Sequence, residues 1–284
     1  MNARGTIALV RALPKSFAEK AIRSDASKRI DQRLAEAQHD AYCAALRRIL
    51  GTENVIHITK RDEHADSCFV EDTVVILQRS RNAVALVPGA PSRRQESLDV
   101  ISTLESSPLS IPVHRAQQAT EYLDGGDVLF TGSGYLVGLS KRTSPIGAKR
   151  FKQIVHDMEP ASFVEFIKVP FGLHLKSLCS LAAPNTIVAS AECDSTFLND
   201  LKKKSQGATV FTVPDAEAAN ILLISSTEKR GALIIRKEFP HSAELIRSSA
   251  QAAGVDDITE LDMSELAKAD GALTCCSVLI NARW

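Results

Sequence analysis

The sequence predicts an α/β fold in which one strand–turn–strand–helix unit is repeated around a closed ring. Pairs of short apolar runs rich in β-branched residues recur along the chain, flanked by Gly, Pro, Asn and Ser, a pattern typical of strand hairpins. The first run of each pair starts at residues 74, 128, 178 and 220, with spacings of 54, 50 and 42. A period of about 50 residues indicates a repeat architecture such as a propeller.

The first unit is divided between the two ends of the chain. Residues 6–11 predict a strand, residues 29–49 predict a helix, and residues 275–280 predict the strand that joins them. We therefore expect the C-terminal strand to close the ring against the N-terminal one. The alternative is an open α/β sheet with hairpin insertions.

The four internal units follow the same order. Their predicted strand pairs are 74–77 with 83–87, 128–130 with 135–139, 178–182 with 186–190, and 220–224 with 232–235. Helices are predicted near 146–157 and 242–253. No Pro-, Gly- or Ser-rich linker divides the chain, so we expect a single domain over residues 1–284.

Composition excludes several classes of protein. The 284 residues are 44% hydrophobic and 24% charged, which is ordinary for a globular protein and not for a fibrous or disordered one. Lys plus Arg and Asp plus Glu both number 34, so the chain lacks the basic excess of a nucleic-acid binder or a polybasic membrane anchor.

Compartment is predicted from the cysteines and the apolar runs. Six cysteines occur without a C-x-x-C pair, which favours reduced thiols in the cytoplasm. The apolar run after Thr6 meets Arg11 too early for a secretion signal, and no apolar stretch approaches the length of a membrane span. We expect a cytoplasmic protein that binds neither nucleic acid nor membrane.

Chemically unusual residues precede the first strand of several units. Acidic residues lie at 66–72 and 124–127, a histidine at 174, and a cysteine at 275. The first strands of a ring line its centre, so these side chains should converge there. Each also has a structural interpretation: Cys275 as an inert buried thiol, His174 as a core histidine, and the Asp124–Asp127 segment as a turn.

Taken together, these residues suggest cysteine-dependent chemistry on a cation. A thiolate is a strong nucleophile, and a histidine backed by a carboxylate can transfer its proton. Glu71, Asp72 and Asp124 would raise the pKa of a nearby thiol and repel an oxyanion, which does not suit ordinary acyl transfer. A guanidinium group instead donates paired hydrogen bonds to carboxylates, and its charge helps the thiol ionise.

Several sequence blocks occur in order along nearly the whole chain: VRALP at 10–14, FVED at 69–72, PGAPSRR at 88–94, LDGGDVLFTG at 123–132, VGLSKRT at 137–143, GLHLKS at 172–177, MSEL at 263–266 and LTCCSVLIN at 273–281. Together they closely resemble the dimethylarginine dimethylaminohydrolase family of the guanidine-modifying superfamily. The resemblance implies a five-bladed α/β propeller, or pentein, with pseudo-fivefold ββαβ repeats around a central channel.

The resemblance also implies a reaction. Family members hydrolyse Nω,Nω-dimethyl-L-arginine, or the monomethyl form, to citrulline and dimethylamine or methylamine through a covalent thiouronium on cysteine, without a metal or cofactor. By motif, Cys275 would be the nucleophile, His174 the general acid and base, and Asp124 the residue that orients it. Cys276 is expected to be structural, because alternation along a strand would point it away from Cys275.

The implied substrate-binding residues are spread over the chain. Glu71 and Asp72 would bind the guanidinium, and Asp66 would help at the amino-acid end of the substrate. Arg93 and Arg142 would bind the α-carboxylate, and the main chain at Ala269 and Asp270 would accept from the α-ammonium group. Ile22 would belong to a lid over the bound substrate. The partner is thus a small molecule, and the protein a monomer or homodimer. The alternatives are an arginine deiminase or other amidinohydrolase, and a non-catalytic methylarginine-binding module.

Overall fold

The computed structural model describes residues 5–115, 118–225 and 231–281. Within these residues, fifteen strands form five three-stranded sheets. The strands are β1 (Ile7–Arg11), β2 (Val55–Ile58), β3 (Val74–Leu77), β4 (Asn82–Ala85), β5 (Val113–Arg115), β6 (Val128–Phe130), β7 (Gly134–Leu139), β8 (Phe163–Lys168), β9 (Cys179–Ala183), β10 (Thr186–Ser190), β11 (Thr209–Val213), β12 (Leu222–Ile224), β13 (Ala232–Arg236), β14 (Asp257–Leu261) and β15 (Val278–Ile280).

The described α-helices are α1 (Phe17–Lys20), α2 (Gln32–Leu50), α3 (Ser97–Glu105), α4 (Pro145–Met158), α5 (Ser195–Lys204), α6 (Pro240–Ala252) and α7 (Ser264–Ala267). Helices α2 to α6 each connect the middle strand of a sheet to its third strand. Such a crossover is required because these two strands are parallel. None of the helices in the described ranges is both long and apolar enough to span a bilayer.

Each sheet is one ββαβ unit, or blade. Its first strand pairs antiparallel with its middle strand, which in turn pairs parallel with the third, as in β3–β4–β5. The blade that joins the chain ends pairs β15 with β1 and β1 with β2. The five-bladed α/β propeller is therefore confirmed, including closure by the C-terminal strand.

Apolar layers pack the blades against one another. Val188 of β10 and Leu233 of β13 belong to one buried cluster, and Leu77 of β3 and Val137 of β7 to another. The middle strands β1 and β13 are buried at every residue, as expected for strands covered on both faces. The first strand of each blade, β3, β6, β9, β12 or β15, lines a largely apolar central cavity.

A short 3-10 turn precedes each of these inner strands. The five turns are Val70–Thr73, Gly125–Asp127, Leu175–Ser177, Ala216–Ala219 and Thr274–Cys276, and we call them the turn layer. Four of the turns contribute a residue to one end of the central cavity, and two of these four begin directly after a predicted catalytic residue. The turn layer therefore positions the site.

The structure corrects the prediction that residues 275–280 form one strand. Cys275 and Cys276 lie in the last turn of the layer, and β15 begins only at Val278. The amide of Thr274 donates to the Asn220 side chain of another blade rather than to a neighbouring strand. Strand alternation was therefore the wrong reason to expect Cys276 to be structural, although Cys276 is fully buried in the core.

Candidate active site

A small cleft lies against the turn layer, beside the central cavity. It is lined by Ile22, Asp66, Phe69, Asp72, Arg93, Arg142, Leu173, His174, Ala269, Asp270 and Cys275. The structure thus brings together all of the predicted site residues except Asp124 and Glu71, which lie behind this lining. These residues come from four blades and the loop after β1, which agrees with the expectation that side chains of successive units converge at the centre of the ring.

His174 and Asp124 form a buried pair. His174 Nε2 lies 2.9 Å from Asp124 Oδ2, and the second oxygen of Asp124 accepts from the amide of Gly89 at 2.7 Å. Burial alone would lower the pKa of His174, but Asp72, Asp124 and Asp127 raise it to about 9. The imidazole is therefore held as a cation at neutral pH, ready to donate a proton.

Asp72 connects the histidine to an arginine. Its Oδ2 accepts from Arg93 Nη1 at 2.7 Å, its Oδ1 accepts from the amide of Gly126 at 3.0 Å, and the same Oδ1 lies 4.0 Å from His174 Nε2. Although burial alone would raise the pKa of this carboxyl, His174 and Arg93 lower it. Asp72 is thus an anion at neutral pH.

The two glycines between Asp124 and Asp127 permit this close packing. A Cβ on Gly125 would lie 2.0 Å from the carbonyl oxygen of Glu71, and one on Gly126 would lie 2.5 Å from His174 Nδ1. The turn could therefore not carry side chains here without displacing the histidine ring. The Asp-Gly-Gly-Asp segment is a turn, but one shaped by its contact with His174.

Cys275 is the most accessible of the six cysteines, all of which are free. It is 9% exposed, the other five are at most 5% exposed, and it alone among them lines the cleft. Burial and the carboxylates of Glu71 and Asp72 raise the pKa of its thiol well above the ordinary value. The Cys275 thiol is therefore neutral at rest, and a positive charge placed beside it would favour the thiolate.

Two arginines approach the cleft from different loops. Arg93 is buried, and its Nε donates to Glu96 Oε2 at 2.9 Å in addition to its bond with Asp72. Arg142 is partly exposed and lies 4.0 Å from Asp124 through Nη1. Of the two, Arg142 has the more available guanidinium for a ligand.

The loop after β1, in which Ile22 is predicted to act as a lid, is bonded to acids that line the cleft. The amide of Ile22 donates to Asp66 Oδ1 at 3.0 Å, and Ser24 donates to both oxygens of Asp270 at 2.6 Å, once through its amide and once through its hydroxyl. Asp270 holds this position in a left-handed backbone conformation with φ 56°. Two acids that line the cleft thus hold this loop in place.

Glu71 lies on the cavity side of the turn layer. One of its oxygens accepts from Lys176 Nζ, and the other accepts from Thr274 Oγ1 at 2.8 Å. All three residues line the central cavity and not the cleft. The contact of Glu71 with a substrate guanidinium stays a prediction.

With this geometry in place, the chain can be compared with known proteins. Residues 12–280 match the family model described as "N,N dimethylarginine dimethylhydrolase, eukaryotic". The chain belongs to the dimethylarginine dimethylaminohydrolase family. Among its relatives, the N(G),N(G)-dimethylarginine dimethylaminohydrolase of Streptomyces coelicolor is 30% identical over 96% of both chains. The human protein named putative hydrolase DDAH2 is 28% identical over 97% of this chain and 94% of its own length.

Solved structures agree with this assignment. A mutant of the Pseudomonas aeruginosa dimethylarginine dimethylaminohydrolase, complexed with citrulline, superposes with a TM-score of 0.79 at 26% identity and covers 97% of this chain and 99% of its own. The N-terminal domain of the cyanobacterial arginine dihydrolase ArgZ has the same TM-score at 14% identity, which shows the shared fold alone.

Among the described residues, Asp72, Asp124 and His174 form a group whose ligand atoms lie within 4.8 Å of one another, close enough to hold a metal ion. Both carboxylates, however, already accept two close hydrogen bonds each, from Arg93 and Gly126 or from His174 and Gly89. A metal ion here would have to compete with the Arg93 guanidinium for Asp72 and with the His174–Asp124 hydrogen bond. The predicted absence of a cofactor stays a prediction.

Family resemblance and repeat pattern did not identify several supporting residues. Glu96 pairs with Arg93, and burial raises the pKa of its carboxyl to about 7. Asp127 accepts from the hydroxyls of Ser140 and Thr143, which flank the loop position of Arg142, and from the amide of Leu175, which follows His174. These bonds fix the loops that carry Arg142 and His174. For Glu96, the available signal in the sequence was its spacing from Arg93, because residues i and i+3 meet on a helical turn.

Proposed function

We propose that this protein hydrolyses Nω,Nω-dimethyl-L-arginine, and the Nω-monomethyl form, to L-citrulline and dimethylamine or methylamine. The observation that carries the proposal is one cleft lined by the Cys275 thiol, the His174 imidazole and the Asp72 carboxylate. Relatives over nearly the whole chain bear the name of this activity. The same cleft also explains why the substrate should be a cation.

The substrate's charge completes the site. Asp72 and Asp66 line the cleft, and the thiol of Cys275 stays neutral because burial and carboxylates raise its pKa. A guanidinium beside Asp72 reverses this effect, since a positive charge close to the sulfur favours the thiolate. Binding of the correct substrate thus ionises the nucleophile.

The first half of the reaction forms the covalent intermediate. As the guanidinium binds, Cys275 releases its thiol proton to solvent, and its sulfur bonds to the central guanidinium carbon while the carbon–nitrogen π electrons move onto nitrogen. The carbon–nitrogen bond to the dimethylamino group then breaks as His174 gives that nitrogen a proton, and dimethylamine leaves. Asp124 holds the imidazole through Nε2 during this transfer.

The second half returns the enzyme to its starting state. Water attacks the thiouronium carbon and passes a proton to His174, which restores the imidazolium. The carbon–sulfur bond then breaks, the thiolate of Cys275 is released and recovers its proton, and citrulline departs. One histidine serves both steps because the second proton transfer runs opposite to the first.

The remaining predicted residues would recognise the amino-acid end of the substrate. Arg142, with its partly exposed guanidinium, suits a bidentate bond to the α-carboxylate, and Arg93 extends the positive wall beside it. Asp66 and the main chain at Ala269 and Asp270 would accept from the α-ammonium group. Ile22 would cover the bound molecule.

A turnover assay tests the proposal. Purified protein is incubated with dimethylarginine or with arginine, and citrulline, dimethylamine and ammonia are quantified, with Cys275→Ser as control. Citrulline and dimethylamine in equal amounts, abolished in the variant, are the expected result. Preferred release of ammonia from arginine would indicate a deiminase instead, and binding of dimethylarginine without turnover by the folded protein would indicate a binding module.

We further propose that the protein works in the cytoplasm as a monomer or homodimer. All six cysteines are free, which suits a reducing compartment. Size-exclusion chromatography with light scattering measures the oligomeric state, and a trimer or larger assembly would contradict the proposal.

A further inference from the structure

We propose that Asn220 is a positioning residue that fixes the Cys275 turn relative to the His174 turn. The inference rests on the proposed function, since it concerns the alignment of the nucleophile with its acid. Asn220 lies outside the cleft lining, directly after the turn Ala216–Ala219 and two residues before the inner strand β12, in the blade that contributes no residue to the cleft.

The side chain of Asn220 bridges two turns of the layer. Its Oδ1 accepts from the amide of Thr274 at 3.1 Å, and Thr274 directly precedes Cys275. Its Nδ2 donates to the carbonyl oxygen of Lys176 at 2.8 Å, two residues after His174, and lies 3.1 Å from Thr274 Oγ1. One amide group therefore joins the main chains that carry the nucleophile and the acid.

An ion pair closes the same bridge on the cavity side. Lys176 Nζ donates to one oxygen of Glu71, and Thr274 Oγ1 donates to the other. Asn220, Thr274, Glu71 and Lys176 thus form a closed ring of contacts that we call the polar clamp. Since Glu71 directly precedes Asp72, the polar clamp also fixes the turn of the carboxylate beside His174.

Only an amide satisfies the geometry at position 220. Asn220 is 3% exposed, so water is poorly placed to replace its bonds. The site needs an acceptor for the Thr274 amide and a donor for the Lys176 carbonyl, and a buried polar group left without a partner is costly. Aspartate keeps the acceptor but loses the donor, and it places a second carboxylate near Glu71.

The repeat supports this role. Other blades place acids, a histidine or a cysteine where their chain enters the turn layer, as with Asp72 and Cys275. In the fifth blade the acids at the corresponding turn, Asp215 and Glu217, bond to Ser242 and Arg236 of the same blade, and the residue that faces the other turns is Asn220. It faces two neighbouring turns, so this blade holds the others in place instead of reacting.

The test compares Asn220→Ala and Asn220→Asp with Ser180→Ala. Ser180 Oγ donates to Ala219 O at 2.6 Å and accepts from the amide of Ile221 at 3.0 Å, so the control loses two bonds to the residues on either side of Asn220 without touching Thr274. Measurements are kcat and KM with dimethylarginine, the melting temperature, and the rate of Cys275 alkylation by iodoacetamide. Alkylation is assigned against Cys275→Ser.

We expect both Asn220 variants to lower kcat at least about tenfold, with KM changed less than about threefold, because a shift of a fraction of an ångström misaligns the reacting groups. Cys275 alkylation should change severalfold in the same variants. Ser180→Ala should keep kcat and the alkylation rate within about twofold of the wild type, even if its melting temperature falls as far as those of the Asn220 variants.

Three outcomes would overturn the proposal: wild-type kcat in both Asn220 variants, an equal kcat loss in Ser180→Ala at a matched melting temperature, or an unchanged Cys275 alkylation rate in folded Asn220→Asp. The isosteric Asn220→Asp keeps the test available if Asn220→Ala does not fold. Alkylation needs no turnover, so absent hydrolysis by the wild type would count against the proposed function and leave the positioning role still measurable.

Discussion

The two sides of the turn layer carry neighbouring residues of the same sequence blocks but differ in chemistry. The cleft side presents Asp72, His174 and Cys275, whereas the cavity side presents Glu71, Lys176 and Thr274. In the chain, Glu71 adjoins Asp72, Thr274 adjoins Cys275, and one residue separates His174 from Lys176. A tight 3-10 turn can thus direct one side chain to the reaction and its near neighbour to the support of that reaction.

The two sides also balance their charges differently. On the cavity side, Lys176 and Glu71 neutralise each other. On the cleft side, Arg93, Arg142 and His174 face Asp66, Asp72 and Asp270 in the lining, and two further carboxylates, Asp124 and Glu96, lie behind it. The difference indicates that the cleft is completed by a cationic ligand and the cavity side is complete without one.

The largest expected contrast is between His174 and Lys176. His174→Gln removes the proton donor, and we expect kcat to fall by about 10² to 10⁴-fold. Lys176→Met removes only the cation that pairs with Glu71, so its kcat loss should be about tenfold. Steady-state kinetics with dimethylarginine measures both, and equal losses would mean that the two sides of the layer are not chemically distinct.

Asp72 and Glu71 give the next contrast. Asp72→Asn removes one of the two buried carboxylates that pair with Arg93, and we expect a loss of about 3 kcal/mol in the free energy of unfolding and a higher KM. Glu71→Gln keeps one acceptor for Lys176 or Thr274, so KM should change little while kcat falls several-fold. Urea unfolding and kinetics measure these effects. A larger KM rise in Glu71→Gln would instead support its predicted contact with the guanidinium.

The pH profile sharpens the comparison on the cleft side. His174 must carry its proton to protonate the leaving amine, and the carboxylates raise its pKa to about 9. Activity should therefore be retained below that pH and fall as pH rises through it. Asp124→Asn removes one of the stabilising carboxylates, so its alkaline limb should move to lower pH. An unmoved limb would show that another group controls it.

The smallest expected effect is at Cys276. This thiol is fully buried, and its Sγ donates to the Ala272 carbonyl at 3.5 Å, away from the cleft. Cys276→Ala should keep kcat within about twofold and cost about 1 kcal/mol in the free energy of unfolding. Kinetics and thermal unfolding decide this. A kcat loss near that of Cys275→Ser would place both thiols in the reaction.

The repeat made much of the fold predictable, but one of its details misled. Each blade has its own hairpin, so local apolar runs sufficed to find β3, β6 and β9. The same logic extended the last strand back to Cys275, because Cys276 is apolar enough to continue the pattern. The turn there depends on Asn220, a residue 54 positions away, and no local pattern encodes that bond.

The site divides in the same way. The residue types near the inner strands, together with the family resemblance, named Cys275, His174, Asp124 and Asp72. The sequence did not indicate that Glu96 pairs with Arg93, nor that the Ser24 hydroxyl donates to Asp270. A serine in a loop or a glutamate on a helical turn is common on any surface, and only its position in three dimensions gives it a role.

The sequence by itself determined the repeating unit and the placement of acids, a histidine and a cysteine before successive inner strands, and the family resemblance favoured the closed five-bladed ring over an open sheet. These follow from local periodicity and from the geometry of a closed ring. Only the tertiary structure decided which neighbour of each pair faces the cleft, and that Asn220 and Glu71 join turns from different blades. The physical reason is that hydrogen bonds between distant turns fix side-chain direction to within an ångström, and such bonds leave no periodic trace in the chain.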